Sequence, residues 1–323
     1  MKKRLLKLFG RYAVTNLLIV PYRSYGTNFH LYVKGRLLDN EPLRIADNNF
    51  FKTIANTMRQ FDTYEVPGVE VTLHIAGMNL TTVTDRKGYF LFDDILPADI
   101  GMLTDPEGWV LFKLSAVTAT GQSSEFQGRL LIPEQEADFG VISDIDDTIL
   151  HTGVTSFLKW KLVRNSLFVN AYRRLPLQGA ADLYQKLHRG VANKEKNPVF
   201  YISNSPWNLY EYLKLFLDHN NFPKGPILLR SFSSLFQRAV ESEKPHKQKE
   251  IINILKTYPE LNFILIGDSG EHDASIYTEI AAQFPHRILC IYLRSVKHKR
   301  RMEYVRSIVD SFTTVPVLLV ETS

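Results

Sequence analysis

The chain has 323 residues, 45% hydrophobic and 12% aromatic, enough core material for two domains and too much for an intrinsically disordered protein. Net charge is +5, from 39 Lys and Arg against 34 Asp and Glu, a modest basic excess that suits an anionic substrate or surface without identifying one. The single cysteine, Cys290, excludes an intrachain disulfide framework and a cysteine-based zinc site; its apolar run predicts a buried core thiol in a reducing compartment.

No stretch of about eighteen uninterrupted apolar residues occurs, so no membrane span is expected. At the N-terminus Leu5, Leu8, Phe9 and Tyr12 fall at helical spacing with Lys and Arg between them. Arg11 interrupts the apolar region that a signal peptide needs, and no small-residue cleavage site precedes Tyr22. Residues 1–27 therefore read as an amphipathic extension, docked on the protein's own surface or lying at a lipid interface.

From residue 28 to 135 the pattern is β. Residues 29–33 and 69–75 alternate in polarity, 80–85 follow, the turn Arg86-Lys87-Gly88 leads into 89–92, and 109–117 make a further strand. Period-two runs separated by Gly and Asp turns predict a small antiparallel β-sandwich. Residues 68–92, with Thr84-Asp85 and Gly88-Tyr89-Phe90 at the turn, resemble transthyretin-like and carboxypeptidase-regulatory sandwiches, which implies scaffolding or binding rather than chemistry. Residues 43–64 receive no assignment, and Pro133-Glu134-Gln135-Glu136 reads as a linker.

From 136 to 323 strands alternate with helices, the pattern of a parallel sheet. Strands are predicted at 141–144, 199–203, 227–230, 263–267 and 288–293, and helices at 179–189, 209–219, 246–258 and 274–283. The first strand runs into Asp144-Ile145-Asp146-Asp147-Thr148. Clustered carboxylates repel one another unless a cation or proton sits among them. Mg²⁺, which takes one or two carboxylates together with a substrate phosphate, is the simplest answer. In that reading Asp144 is a nucleophile toward phosphorus and Asp146 a general acid, then base. Taken alone, the stretch equally fits a solvated acidic loop or a Ca²⁺-type loop.

Further polar groups stand at the following element ends. Ser203, with the amides opening the next helix, can hold phosphate oxygens or act as a helix cap, and Asn204 can assist it. Lys247 at the start of the third helix can neutralise phosphate and nucleophile, unless Lys244 or Lys249 takes that part. In Gly267-Asp268-Ser269-Gly270-Glu271-His272-Asp273, Asp268 would complete a metal shell, Asp273 would add a ligand or orient the site, and His272 reads as a loop residue.

Asp144-x-Asp146-x-Thr148, Ser203, Lys247 and Asp268-x₄-Asp273 resemble the four motifs of the haloacid dehalogenase superfamily. More narrowly, residues 143–148, 201–207, His246-Lys247 and 267–273 resemble the actin-patch type of Mg²⁺-dependent phosphatidate phosphatases and their bacterial relatives; residues 22–26 and 177–184 fit that family too. The resemblance implies an α/β, Rossmann-like domain over residues 136–323. It implies a cytoplasmic enzyme that hydrolyses phosphatidate to diacylglycerol and phosphate through an aspartyl-phosphate. Asp144, Asp146, Asp268 and Asp273 would hold Mg²⁺, Asp146 through its main-chain carbonyl. Asp144, Asp146 and Lys247 would be catalytic, Ser203, Asn204 and Lys247 would bind substrate, and Thr148 would shape the turn. The long polar extensions of eukaryotic members are not seen, so no actin-patch role is expected.

Substrate class is less sharply written. Residues 154–174 mix Phe157, Trp160 and Phe168 with Lys159, Lys161 and Arg164, and read as a cap on the core or as a flap resting on an anionic bilayer. The basic run 297–301 reads as a solvated helix start or a headgroup contact, and no nucleic-acid partner is expected. Two alternatives stand beside phosphatidate: a phosphatase of the same fold acting on soluble phosphomonoesters, and a non-catalytic lipid- or partner-binding module.

Overall fold

The computed structural model describes residues 14, 16–39, 64–119, 121–146, 148–149, 179–190, 197–230, 244–269, 272–295 and 299–320. The chain divides into two units, Met1–Ile132 and Pro133–Ser323.

Among the described residues the first unit holds nine strands: β1 (Leu17–Pro21), β2 (Ser24–Thr27), β3 (His30–Asp39), β4 (Tyr64–Glu65), β5 (Glu70–Ile75), β6 (Met78–Val83), β7 (Tyr89–Ile95), β8 (Trp109–Val117) and β9 (Ser123–Leu131). They form one mixed sheet in the order β1-β3-β2-β9-β8-β5-β6, with β4 and β7 also paired to β3. Residues from β3, β5, β7, β8 and β9, among them Leu31, Leu73, Phe92, Phe112 and Leu130, share a single apolar cluster. Strands distant in pairing order thus meet over one core, and the sheet curls over on itself.

Two features differ from the sequence expectation of an antiparallel sandwich beginning at residue 28. Strand pairing starts at Leu17, within the stretch read as an extension, and β2 runs parallel to β9 through Ser24↔Leu130 and Tyr25↔Leu131. Strand β2 is four residues long with three consecutive residues buried, so it carries no period-two signal to read.

The turn read at residues 86–88 closes through Asp85, whose Oδ1 accepts the Lys87 and Tyr89 N–H groups at 2.8 and 2.9 Å. Asp105 repeats the device on Glu107 and Trp109, at 2.9 Å each. Gly35 lies opposite Phe90 in register and Gly128 opposite Phe112. A Cβ at either glycine would sit 2.2 Å from the facing ring, so each ring rests on bare backbone.

The second unit holds β10 (Gly140–Asp144), β11 (Val199–Pro206), β12 (Ile227–Arg230), β13 (Phe263–Asp268), β14 (Ile288–Arg294) and β15 (Val317–Val320). Between them lie α1 (Ala180–Arg189), α2 (Tyr210–His219), α3 (His246–Thr257), α4 (Asp273–Gln283) and α5 (Lys299–Ser311). All six described strands are parallel, in the order β12-β11-β10-β13-β14-β15. Counted along the chain this is 3-2-1-4-5-6, a doubly wound order whose switch point lies between β10 and β13, where ligands bind outside the strands' carboxyl ends. Every residue of β10 is buried, as a central parallel strand covered on both faces requires.

The edge strand β15 has no counterpart among the predicted elements, whereas helix α5 begins at Lys299, within the basic run read as a helix start. Leu318 of β15 is exposed, and its short run lacks a buried face. Cys290, expected in the core, is half-buried on β14 beside exposed Leu289, and burial pushes its thiol pKa up. Residues 1–13, nearly all of 43–64, the aromatic-basic stretch 154–174 and Lys297-His298 lie outside the described residues. Among those described, no helix is long and apolar enough to cross a membrane.

Because the Phe112 ring occupies the space a side chain at residue 128 would need, Gly128→Val is expected to destabilise the first unit by about 1–3 kcal/mol, read from urea unfolding.

Candidate active site

The site is assembled at the switch point. β10 and β13 run side by side with Ser143 opposite Ile266, so Asp144 and Asp268, the last residues of the two strands, emerge together. Both are wholly buried. Five residues after Asp268, Asp273 opens α4, and its Oδ2 accepts the Asp268 N–H at 3.3 Å. This fold-back needs a glycine: a Cβ at Gly267 would lie 2.3 Å from Asp273 Oδ2. One turn along α4, the Tyr277 hydroxyl donates to Ile266 O at 3.1 Å and holds the helix against β13. Burial, reinforced by the Asp273 charge, drives the Tyr277 phenol pKa well above its ordinary value, so the donor keeps its proton.

The cation of the site comes from α3. Lys247, 1% exposed, places Nζ 3.0 Å from Asp144 Oδ1 and 2.5 Å from Asp273 Oδ1. Lys244 and Lys249, the alternatives, are both exposed, and Lys244 donates to Gln283 Oε1 at 3.1 Å. One carboxylate oxygen from each of Asp144, Asp268 and Asp273 lies within 4.8 Å of the others. Three carboxylates and one ammonium sum to −2, a balance that buried groups do not tolerate without compensation. An all-oxygen donor set of that charge fits a hard divalent cation.

Asp144 is held from two further sides. Thr148 Oγ1 donates to its Oδ2 at 3.2 Å, so the residue expected to shape the turn also orients the carboxylate. Behind it, Ser143 Oγ donates to Asp144 O at 2.7 Å and meets the buried Tyr184 hydroxyl of α1 at 2.5 Å. Sequence reasoning missed Tyr184 in this role, because only packing shows that a tyrosine forty residues downstream faces the strand.

Asp146 stands apart from the three clustered carboxylates and is half-buried. Its Oδ2 accepts from Ser203 Oγ at 2.5 Å and from Ser205 Oγ at 3.0 Å. Ser203, read as a phosphate holder or helix cap, lies within β11 and donates to this carboxylate. Asn204, between two buried serines, is exposed, as is His272. Ser205 received no role from the sequence, although it lies in the quoted 201–207 motif and two residues from Ser203, on the same face of a strand.

Comparison with known proteins bears on this unit. Residues 139–295 match the family described as Phosphatidate phosphatase APP1, catalytic domain. Phosphatidate phosphatase APP1 of Saccharomyces cerevisiae is 44% identical over 156 residues, 48% of this chain and 25% of the yeast protein. An uncharacterized protein of Schizosaccharomyces pombe is 29% identical over 218 residues, 66% of this chain and 34% of that one. The chain thus spans a quarter to a third of the length of these relatives. A solved carbohydrate acetylesterase from Xanthomonas citri reaches a TM-score of only 0.29 at 12% identity, over 94% of this chain and 68% of that one, too slight a likeness to bear on fold or function.

Removing the ammonium leaves the carboxylates to repel one another. Lys247→Met is expected to lower stability by about 3–5 kcal/mol in EDTA, and millimolar Mg²⁺ or Mn²⁺ should restore part of the loss in denaturant unfolding.

Proposed function

We propose, from the match of residues 139–295 to the family of APP1-type phosphatidate phosphatase catalytic domains, that this chain is a Mg²⁺-dependent phosphatidate phosphatase of the haloacid dehalogenase superfamily. Its reaction releases phosphate from phosphatidate and leaves diacylglycerol. The observation that carries the reading is the buried group of Asp144, Asp268 and Asp273 around Lys247, with Asp146 two residues beyond Asp144. Catalysis belongs to residues 136–323, in a protein working from the cytoplasm at an anionic membrane surface. The strand order of the second unit supports a Rossmann-like assignment.

Phosphoryl transfer needs alignment and charge neutralisation more than covalent invention. Asp144 attacks phosphorus and becomes phosphorylated. Thr148 and Lys247 fix its two oxygens, and Lys247 offsets the repulsion between this carboxylate and an incoming phosphate. Asp146 gives a proton to the departing diacylglycerol oxygen, then takes one from the water that cleaves the aspartyl-phosphate. Ser203, with Asn204, donates to the transferring oxygens. Asp144, Asp268 and Asp273, with the main-chain carbonyl of Asp146, would hold Mg²⁺, which supplies the positive charge that the carboxylates leave unbalanced.

Asp144→Asn should lower phosphate release from liposomal phosphatidate by at least about 10³-fold while circular dichroism and melting temperature stay close to wild type. Full activity in that variant would overturn the nucleophile assignment. EDTA should abolish turnover and Mg²⁺ restore it. Faster hydrolysis of a soluble sugar or nucleotide phosphate than of phosphatidate would move the substrate class while leaving the chemistry in place.

A further inference from the structure

We propose that Ser205 is a positioning residue for the proton-transferring carboxylate of Asp146, and that it keeps this carboxylate in place while Ser203 turns to the substrate. The inference rests on the phosphatase reading above and divides one motif into two tasks. A serine hydroxyl has a single hydrogen to donate. Ser203 Oγ directs its hydrogen to Asp146 Oδ2 at 2.5 Å and accepts the Ser205 N–H at 2.8 Å. To donate to a phosphoryl oxygen, Ser203 must release Asp146.

Ser205 has no such conflict. Its Oγ lies 3.0 Å from the same Oδ2, and the residue is 4% exposed. The pairing of β11 with β12 shifts register between Ser203 and Pro206, and an irregularity of this kind re-aims side chains at a strand end. Here two hydroxyls two residues apart converge on one carboxylate oxygen. With Oδ2 accepting from Ser205 throughout, Oδ1 carries the proton. In the first step an Asp144 oxygen bonds to phosphorus and the phosphorus–ester oxygen bond breaks with its electron pair. The proton of Asp146 passes to that departing oxygen.

A proton donor matters most when the leaving oxygen is a poor one, and this separates positioning from a general structural effect. The comparison uses kcat/KM for dioctanoyl phosphatidate, an alkyl ester, and for p-nitrophenyl phosphate, whose leaving group departs with little protonation. Inhibition by inorganic phosphate is measured alongside. Ser205→Ala is expected to lower kcat/KM on the alkyl ester by about 10²-fold while the aryl ester changes by less than about threefold and the phosphate Ki by less than about twofold. Ser203→Ala should raise the phosphate Ki about tenfold. Ser205→Cys, a smaller perturbation of packing, should move the two esters in the same unequal way.

Equal falls on both esters, no fall on either, or a phosphate Ki raised by Ser205→Ala as much as by Ser203→Ala would overturn the proposal and leave the phosphatase reading intact. A wild type that cleaves only the alkyl ester puts the decision on the phosphate Ki. A wild type that releases phosphate from neither ester overturns the phosphatase reading and this inference with it.

Discussion

A single ammonium between two buried carboxylates is the constraint from which the second unit follows. Lys247 touches Asp144 on one strand end and Asp273 on the helix that follows another, and all three groups are out of water. Charges so placed are stable only in each other's company, so β10, α3 and α4 cannot separate without exposing an unpaired ion to an apolar interior. The same arrangement is electrostatically incomplete, because Asp268 brings a third negative charge into the cluster. The carboxylates that hold these elements together are therefore the same ones that could offer a cation its donors.

The parallel sheet converts this local requirement into a fixed geometry. Register between β10 and β13 sets where Asp144 and Asp268 stand, and register between β10 and β11 brings the serines past the level of Asp144. None of these positions depends on a loop finding its own conformation. The hydroxyl pair of Ser143 and Tyr184 adds a support on the far side of the strand, so the end of β10 is tied to helix α1 as well as to its neighbours.

What the sequence disclosed and what it hid divide along physical lines. Asp144 and Asp268 were legible as carboxylates that end apolar runs, and Lys247 as an ammonium at a helix start, because they occur together in one chain order. Chain order placed all three at one edge of a parallel sheet. Tyr184 and Ser205 were not legible, because a buried tyrosine and a strand serine look the same whether they pack or position. In the first unit the parallel pairing of β2 with β9 escaped notice for a similar reason: four residues are too few to show a period. Cys290 sat in an apolar run and still ended half-buried, since β14 exposes part of its length.

Gly267 extends this reading to other sequences. It contributes no charge, hydrogen-bonding side chain or reactive atom, yet Asp273 reaches its place only because residue 267 has no side chain. A paralogue could keep every aspartate and the lysine, carry alanine at this position, and hold the last carboxylate out of line. Loss of the site in such a lineage can begin at a glycine, leaving the acidic motifs as an intact but misleading signature.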